Sequence, residues 1–415
     1  MATSIQPRST LHETLFAPLD GVAAGCDSFR GCPVLPDDAW LRLGVIRALH
    51  DLPSGRGFLQ QIGPQLPHCP QRGHFFETLK STRRLALCQE ANAIVARLLT
   101  DDPFAGQEAL ADFDLYAADG HWHGAAVHDQ PIDGDRRAVG HFFSLNLRTQ
   151  ALHHLTAAQG KKEHDMHALK RMDCETLRQS APQGRKVIYV YDCAGIDFGQ
   201  WHRWKQAGGI YFISLIKDNM KPAVIGLKPF AAHDPINHGV QADELIATSQ
   251  HVLARRIRYL NPANGEAFEF LTNELTLAPG LIAFLYLRRW DLEKVFDVLK
   301  NKLDEIRAWA SSPTARTMQA QFLCLAHNLQ QLFERHLATE HQVVNQAEIA
   351  RREQRLKKQQ QAAHARGVQL PSLVVAHQRL TQGSVKLVRW LRCHFFSALP
   401  LVVLLPHLRH LYATL

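Results

Sequence analysis

Apolar residues recur at a helical period through the first hundred residues of the chain. After Pro36 the apolar positions from Trp40 to Leu49 follow this spacing, and a second series runs from about Phe75 to Leu99. The sequence Thr-Asp-Asp-Pro at 100–103 ends the second series, because proline cannot continue a helix. The pattern therefore predicts a loop-rich entry followed by a helical N-terminal region.

Beyond these helices the chain changes to short runs rich in β-branched and aromatic residues, which are typical of strands. The runs are FDLYAADGHWHG, HFFSLNLRTQALHHLTAA, KVIYVYD, GGIYFISLIKD, HVLARRIRYL and EAFEFLT. Two long helical patterns follow, from Leu281 to about Ile306 and from Thr314 to Leu337, and the tail is mainly helical. Strands followed by long helices favour an α/β core with helical flanks.

Composition places the chain among globular proteins. Of its 415 residues, 46% are apolar and 21% are charged, which excludes a wholly disordered or fibrous chain. The start lacks the pattern of a signal peptide, and no run approaches the length of a membrane-spanning helix. The eight cysteines form no CxxC pair and have no zinc-ligand spacing, so we expect reduced thiols in a cytoplasmic protein that does not bind membranes.

Two aspartates stand at the ends of predicted strands. Asp192 follows the apolar run VIYVY, and Asp119 ends a short apolar run just before Gly120. Each by itself is more typical of a turn cap than of a ligand. Ligands on α/β scaffolds converge at strand ends, however, and hard cations prefer oxygen donors. Together with a carboxylate from a helix, the pair could hold two Mg²⁺ ions and support phosphoryl transfer.

A predicted helix carries the most informative spacing. Tyr286, Arg289, Glu293 and Lys300 follow one another at steps of three, four and seven residues, which places them on one stripe of a helix. The stripe combines two cations with a carboxylate. Spacing alone leaves open the alternative of a solvated amphipathic helix with ordinary ion pairs.

These motifs are similar to those of the DDE transposases of bacterial insertion sequences. The four helical residues match the signature Tyr-x2-Arg-x3-Glu-x6-Lys of one large group, and YVYDCAGIDFGQWHRWKQAGGIYFISLIKDN resembles its second-Asp block. The resemblance covers about residues 105–335. It implies an RNase H-like fold in which Asp119, Asp192 and Glu293 are catalytic and bind two Mg²⁺ ions, with Mn²⁺ able to substitute. The first-Asp block is the least distinctive, so Asp114 and Asp112 remain alternatives to Asp119.

The resemblance also implies how DNA is held and how the chain is divided. Arg289, Lys300 and Tyr286 would contact phosphates near the transposon end, and Trp290 would either stack on a flipped base or be an ordinary core residue. The separation of 101 positions from Asp192 to Glu293 implies an inserted, mostly β subdomain at about 216–277, before the Glu-bearing helix. We therefore expect a helical domain at 1–105 with a possible role in DNA-end binding, a catalytic domain at 106–335 and a basic, mainly helical region at 336–415.

The predicted function is cut-and-paste transposition of an insertion sequence, by hydrolysis at the element ends followed by strand transfer. The expected partners are double-stranded DNA, in the form of terminal inverted repeats and target DNA, and a second copy of the chain. The expected location is the bacterial cytoplasm at the nucleoid. A catalytically inactive DNA-binding descendant is the first alternative. A two-carboxylate hydrolase such as a glycosidase is the second, although the cations beside Glu293 favour a polyanionic substrate.

Cations outside the signature add candidate DNA contacts. Arg256 and Arg258 alternate onto one face of a predicted strand and could clamp a DNA backbone. The net charge of +8 lies in the tail, where residues 336–415 hold 11 Lys+Arg and 3 Asp+Glu. This tail could add salt-sensitive DNA affinity, or it could be a solvated helix or a dimerisation element. His121 and His123, which flank Trp122, are expected to play no direct part in metal binding.

Overall fold

A computed structural model of the chain describes residues 9–50, 54–65, 72–126, 139–159, 163–179, 181–182, 184–248, 252–302, 307–377 and 385–414. The N-terminal part is helical, as its apolar period predicts. Its helices are α1 (Leu11–Phe16), α2 (Val22–Gly25), α3 (Asp37–Leu49), α4 (Gly55–Ile62), α5 (Arg72–Thr78) and α6 (Thr82–Arg97). The single helix expected from Phe75 to Leu99 is thus two helices. Ser81 separates them because its side chain accepts a hydrogen bond from the Arg84 N–H and caps α6.

Strands and short helices alternate through the centre of the chain. In order they are β1 (Phe113–His123), β2 (Val139–Asn146), β3 (Leu152–Ala157), α7 (Asp165–Lys170), α8 (Cys174–Arg178), β4 (Lys186–Val190), α9 (Phe198–Gly208), β5 (Ile210–Leu215), β6 (Ala223–Leu227), β7 (Val240–Ala247), β8 (Leu253–Leu260) and β9 (Ala267–Thr272). Asp197 caps the start of α9, and Gly209 ends it in the left-handed conformation at φ 62°. Asp before a helix and Gly after it are common cap residues, so both ends of α9 can be recognised in the sequence.

The rest of the described chain is helical. It comprises α10 (Pro279–Arg288), α11 (Trp290–Lys302), α12 (Pro313–His341), α13 (Gln346–Ala365), α14 (Ser372–Ala376), α15 (Val385–His394) and α16 (Leu401–Ala413). The helix expected from Leu281 to Ile306 is interrupted at Arg289. There the Arg289 N–H donates to the Tyr286 carbonyl, and the Leu292 N–H donates to the Arg289 carbonyl. Both hydrogen bonds join residues three apart, so the backbone between α10 and α11 has the geometry of a 3₁₀ turn.

Within the described ranges, nine strands form one sheet in the order β3-β2-β1-β4-β5-β9-β8-β7-β6. β4 pairs in parallel with β1 and with β5, and the other neighbours are antiparallel. The region expected as an insertion at 216–277 contains β6 to β9. These strands continue the central sheet because β9 pairs with β5, with Ile213 opposite Thr272.

The sheet is covered on both faces. One core joins Leu115, Ile188 and Val190 of the sheet with the N-terminal helices, α10 to α12 and the tail. The other core joins Tyr116 and Tyr189 with helices α7 and α9. The chain is therefore a mixed α/β protein with helical flanks, as the order of elements predicts. Within the described residues, no helix has both the length and the apolar character needed to cross a membrane.

Candidate active site

The parallel pairing of β1 with β4 aligns the two aspartates that the sequence singles out. Phe113 lies opposite Lys186 and Ala117 lies opposite Val190, so every pair is separated by 73 residues. Asp119 and Asp192 have the same separation, and they stand two positions beyond the last of these pairs. Because parallel strands hold their register, the two residues are level with each other at the carboxyl end of the parallel strands.

Local hydrogen bonds orient both aspartates. Asp192 caps the short turn that follows β4, and its Oδ1 accepts a hydrogen bond of 2.8 Å from the Ala194 N–H. Asp119 Oδ1 accepts one of the same length from the Gly120 N–H. The Ser214 hydroxyl donates to the Asp192 carbonyl oxygen at 2.6 Å and ties this turn to β5. Asp192 therefore has the turn-capping role that its position suggested. Asp119 does not, because it lies inside β1 opposite Phe143 of β2 and not at the end of the strand.

Arg289 joins Glu293 to this pair. Its Nη1 lies 2.7 Å from Glu293 Oε1 and 3.4 Å from Asp119 Oδ2. The Arg289 residue is only 8% exposed, and the break between α10 and α11 is the point from which its side chain extends. One guanidinium therefore brings carboxylates from β1 and α11 to the same place.

Burial and neighbouring negative charges raise the pKa values of two carboxyl groups at the site. Burial raises the pKa of Asp119 to about 7; the Arg289 charge opposes this rise, and the Asp192 charge adds to it. Asp165, at the start of α7, is a further carboxylate whose charge acts on this group. Burial, followed by the charge of Asp192, raises the pKa of Asp165 to about 6. The site holds more negative charge than Arg289 compensates.

The donor atoms suit a hard divalent cation, although they are not already arranged around one. In the described part of the chain, no three His, Cys, Asp or Glu side chains are grouped so that they could hold a metal ion. Arg289 instead occupies the space between Asp119 and Glu293. Carboxylate oxygens are the ligands that Mg²⁺ prefers, and the surplus negative charge is what such an ion would neutralise. The carboxylates are thus of the kind that a hard cation takes, but the described side chains are not grouped to hold one.

The two alternatives to Asp119 lie away from this group. Asp114 is near the start of β1, where its carboxylate pairs with Arg185 Nε at 2.8 Å. Asp112 precedes the strand, and its carbonyl accepts a hydrogen bond from the Lys186 N–H. At about 3.3 Å per residue, the five residues from Asp114 to Asp119 span roughly 16 Å. Of the three candidates, Asp119 is the residue that stands beside Asp192.

The remaining signature residues divide between the core and the surface. Tyr286 is only 2% exposed and packs its ring 4.9 Å from that of Phe270, so it supports the sheet instead of facing solvent. Trp290 is 43% exposed, and the Arg289 guanidinium lies 5.6 Å from its ring. Trp290 is therefore not an ordinary core residue. Lys300 belongs to α11, but its side chain lies outside the described residues.

Arg256 and Arg258 share one face of β8, as strand alternation predicts. Both pair with Glu244 of β7, at 2.6 Å and 3.3 Å respectively, and Arg256 also lies 3.6 Å from Glu269 of β9. Arg258 keeps half of its side chain exposed. These cations thus link neighbouring strands, which the sequence pattern did not indicate.

His121 and His123 lie under the site as packing residues. His121 is buried with its ring 4.9 Å from Phe296 of α11, the helix that carries Glu293. His123 is buried and stacks on His141 of β2 at 5.3 Å. Sequence reasoning did not single out Asp165. Nothing in its local pattern marks it, because only the packing of α7 against the sheet brings it to the group.

Comparison with known proteins agrees with the motifs. Residues 133–329 match the family model described as a transposase DDE domain, a range that includes Asp165, Asp192 and Glu293 and begins after Asp119. No curated protein matches the chain. Among solved structures, the cryo-EM structure of a piggyBac transposase synaptic complex with hairpin DNA is similar at a TM-score of 0.39 and 9% identity, covering 86% of this chain and 80% of that one. By the family match, the central part of this chain is similar to the DDE domain of transposases.

Proposed function

We propose that this protein is a DDE transposase that cuts DNA at the ends of a bacterial insertion sequence and joins the freed ends to target DNA. The observation that carries the proposal is the alignment of Asp119 with Asp192 across β1 and β4, with Glu293 drawn to Asp119 by Arg289. The family match over residues 133–329 supports the same class of reaction. The mixed order of strands β1 to β5 agrees with an RNase H-like core, which is part of the proposal.

Asp119, Asp192 and Glu293 are the proposed ligands of two Mg²⁺ ions, which Mn²⁺ could replace. When bound, such ions would neutralise phosphate charge and activate the attacking oxygen. The protein itself would hold Asp119 on β1, Asp192 after β4 and Glu293 on α11. It would also release Asp119 and Glu293 from Arg289. The freed guanidinium would then bind a DNA phosphate, a role for which its paired donors are suited.

Trp290 is the proposed contact to a base at the DNA end. Its exposed ring stands next to Arg289, so stacking on a base and binding of a phosphate would occur side by side. Lys300 would add a second phosphate contact from α11. Arg258, which is half exposed, could reach DNA without leaving its strand, whereas the burial of Tyr286 favours a packing role.

We also propose how the protein assembles on DNA and what each region of the chain contributes. Two transposon ends must be held together for the reaction, so we infer a homodimer on terminal inverted repeats in the bacterial nucleoid. The helical region at 1–105 would take part in recognising the ends, and the 106–335 region would carry the chemistry. The basic region at 336–415 would add nonspecific DNA affinity.

An end-cleavage assay tests the proposal. The substrate is a duplex that carries the inverted repeats bordering the gene, incubated with Mg²⁺ and the full chain. We expect Asp119→Asn, Asp192→Asn and Glu293→Gln each to lower cleavage by roughly 100-fold or more. The matched controls are Asp38→Asn and Glu353→Gln, which change exposed acids far along the chain from the motifs. Cleavage by the Glu293→Gln protein at the wild-type rate would reject the active-site assignment.

The alternative is a DNA-binding descendant without activity. It predicts that the wild-type chain binds the same inverted repeats but does not cut them with Mg²⁺ or Mn²⁺. The assay separates the two functions, because binding by gel shift and cleavage are measured on one substrate.

A further inference from the structure

A buried ion pair spans the break between α10 and α11. Arg288 is the last residue of α10, and its Nε lies 2.6 Å from Oδ2 of Asp291, the second residue of α11. The two side chains are 6% and 0% exposed, respectively. Neither residue occupies a fixed position of the Tyr-x2-Arg-x3-Glu-x6-Lys signature. The signature therefore leaves this buried pair of charges without a role.

Further contacts hold Arg288 in place. Its Nη1 donates a hydrogen bond of 3.3 Å to the carbonyl of His377, which follows α14. Its guanidinium also lies 5.8 Å from the centre of the Phe104 ring. That ring packs edge-on against Phe284 of α10. The end of α10 is thus held both by the segment before β1 and by the tail.

The buried pair interleaves with the ion pair of the candidate site. Arg288 pairs with Asp291 across the break. Arg289, the next residue, pairs with Glu293 across the same break. A cation in the last turn of α10 and a carboxylate in the first turn of α11 suit the dipoles of both helices, so the buried pair favours ending one helix and starting the next here. Because Arg289 lies on the backbone between Arg288 and Asp291, the direction of its side chain depends on the geometry that this pair holds.

Stability alone does not require a charged pair at this place. Removing two charges from water costs free energy, and apolar side chains of similar volume often stabilise a protein interior as well or better. Apolar packing is already present, because Leu287 and Leu292 on either side of the break are buried in the main core. An ion pair adds a preferred relative position of its two side chains. That property matters where the residue between them has to point in one direction.

We propose that Arg288 and Asp291 are positioning residues of the candidate active site. Their ion pair fixes the break between α10 and α11, so that Arg289 and Glu293 extend towards Asp119. This inference rests on the proposed function. Neither Arg288 nor Asp291 would touch DNA or a metal ion, since both side chains are buried in the protein. Without the pair, the two helices could shift and turn Arg289 away while the sheet stays intact.

Replacing both charges by apolar side chains separates positioning from stability. The paired variant, Arg288→Met with Asp291→Leu, should unfold in urea at a midpoint equal to or above that of the wild type. It should cut the inverted-repeat duplex about tenfold or more slowly, because a small misplacement of active-site groups is costly. The matched control is Arg255→Met with Asp243→Leu, which removes a buried ion pair from β8 and β7 and should cut at the wild-type rate.

Trp290 supplies a readout that does not depend on cleavage. It lies between Arg289 and Asp291 in the chain, and its exposed ring is 5.6 Å from the Arg289 guanidinium. In protein labelled with 5-fluorotryptophan, its ¹⁹F resonance is assigned by comparison with Trp290→Phe. We expect this resonance to shift in the paired variant and not in the matched control. Arg288→Lys keeps a cation opposite Asp291, so it should retain the wild-type resonance and most of the cleavage.

Wild-type cleavage by the paired variant would overturn the inference, and so would an unshifted Trp290 resonance. An equal loss of cleavage in Arg288→Lys or in the matched control would also overturn it, because a general disturbance of the fold would then explain the loss. If the paired variant does not fold, Asp291→Asn takes its place with the same expected results, since it keeps the shape of the side chain and removes the charge. Wild-type cleavage by Glu293→Gln would instead reject the proposed function itself.

Discussion

The Nη1 atom of Arg289 lies 2.7 Å from Glu293 Oε1, one helical turn further along, and also pairs with Asp119 of β1. The same two carboxylates are proposed metal ligands. If these carboxylates bind a metal ion, Arg289 competes with that ion in the DNA-free protein, and a DNA phosphate could draw Arg289 away.

Replacing Arg289 with methionine should tighten Mn²⁺ binding to the DNA-free protein by several-fold, because two carboxylates lose their competing cation. The same change should lower DNA cleavage, because the proposed phosphate contact is lost. Binding is measured by titration with Mn²⁺, and cleavage is measured on the inverted-repeat duplex. Arg203→Met, which removes an exposed cation from α9, is the control. Unchanged or weaker Mn²⁺ binding in Arg289→Met would show that Arg289 does not compete with the metal.

Trp290 and Tyr286 should respond differently to truncation. Trp290→Ala is expected to leave the free energy of unfolding within about 0.5 kcal/mol of the wild type, since the ring is exposed. It should weaken binding to the DNA end by about 1–3 kcal/mol if the ring stacks on a base. Tyr286→Ala removes a buried ring and should cost about 3–5 kcal/mol of stability. Urea unfolding and fluorescence of 2-aminopurine in the DNA end measure the two effects, and equal stability losses would contradict this assignment.

A buried ion pair should stabilise the sheet beyond β5. Arg255 Nε and Nη2 donate to the two carboxylate oxygens of Asp243 at 2.6 Å and 2.5 Å, and Arg255 Nη1 donates to the Leu277 carbonyl at 2.6 Å. Asp243→Asn removes the hydrogen-bonded counter-charge of the buried guanidinium and leaves only Glu274, at 3.9 Å, so it should cost about 3 kcal/mol in urea unfolding. Arg258→Ala, on the exposed side of the same strand, should cost no more than about 1 kcal/mol. A small effect of Asp243→Asn would mean that water reaches Arg255.

Acid should destabilise the protein through His327. Burial lowers the pKa of His327 to about 4, while a hydrogen bond to the Gln150 carbonyl opposes the shift. Because the pKa is higher in the unfolded chain, at about 6.5, the unfolded state takes up the proton first. Stability is therefore complete above pH 6.5 and is lost as the pH falls towards 4, by up to about 3 kcal/mol from this residue.

Urea unfolding at several pH values between 7 and 4.5 measures this loss. His327→Gln should reduce the slope of stability against pH in that window, whereas His410→Gln, an exposed change in α16, should not. An identical slope in the wild type and in His327→Gln would show that His327 is protonated equally in both states.

The contribution of the basic tail to DNA binding is best tested by replacing its charged residues and not by deleting it. Leu387, Trp390 and Leu401 of the tail are buried in the main core, so removing residues 336–415 would disturb the fold. Arg352 pairs with Glu348 at 3.1 Å, and Arg366 donates to the carbonyls of the turn between β8 and β9, so both already have structural partners.

The exposed cations of α13 are the better targets. Changing Arg351, Lys357 and Lys358 together to Gln should reduce the slope of log K against log salt by about 2–3 for duplex DNA, if all three contact phosphates. Fluorescence anisotropy at several salt concentrations measures the slope. A slope equal to that of the wild type would favour the alternative of a solvated helix.

Much of the architecture follows from local pattern. The apolar period of α3 and the alternation of β8 report which side of each element is buried, and this depends on neighbours in the chain. Caps such as Ser81 and Asp197 act within a few residues, which is why helix starts can be seen in the sequence. The break at Arg289 was missed because both halves, α10 and α11, continue an apolar helical pattern on either side of it.

The sequence by itself determined the signature on α10 and α11, the aspartate after VIYVY and the α/β class. The match to a transposase DDE domain is consistent with these motifs. Tertiary structure decided the rest. The pairing of β1 with β4 places Asp119, and not Asp112 or Asp114, level with Asp192. The packing of α7 brings the charge of Asp165 near this pair, and the neighbours of β8 engage Arg256 in ion pairs. These relationships join residues far apart in the chain. A local pattern specifies which face of an element is buried but not which strand or helix will lie against it.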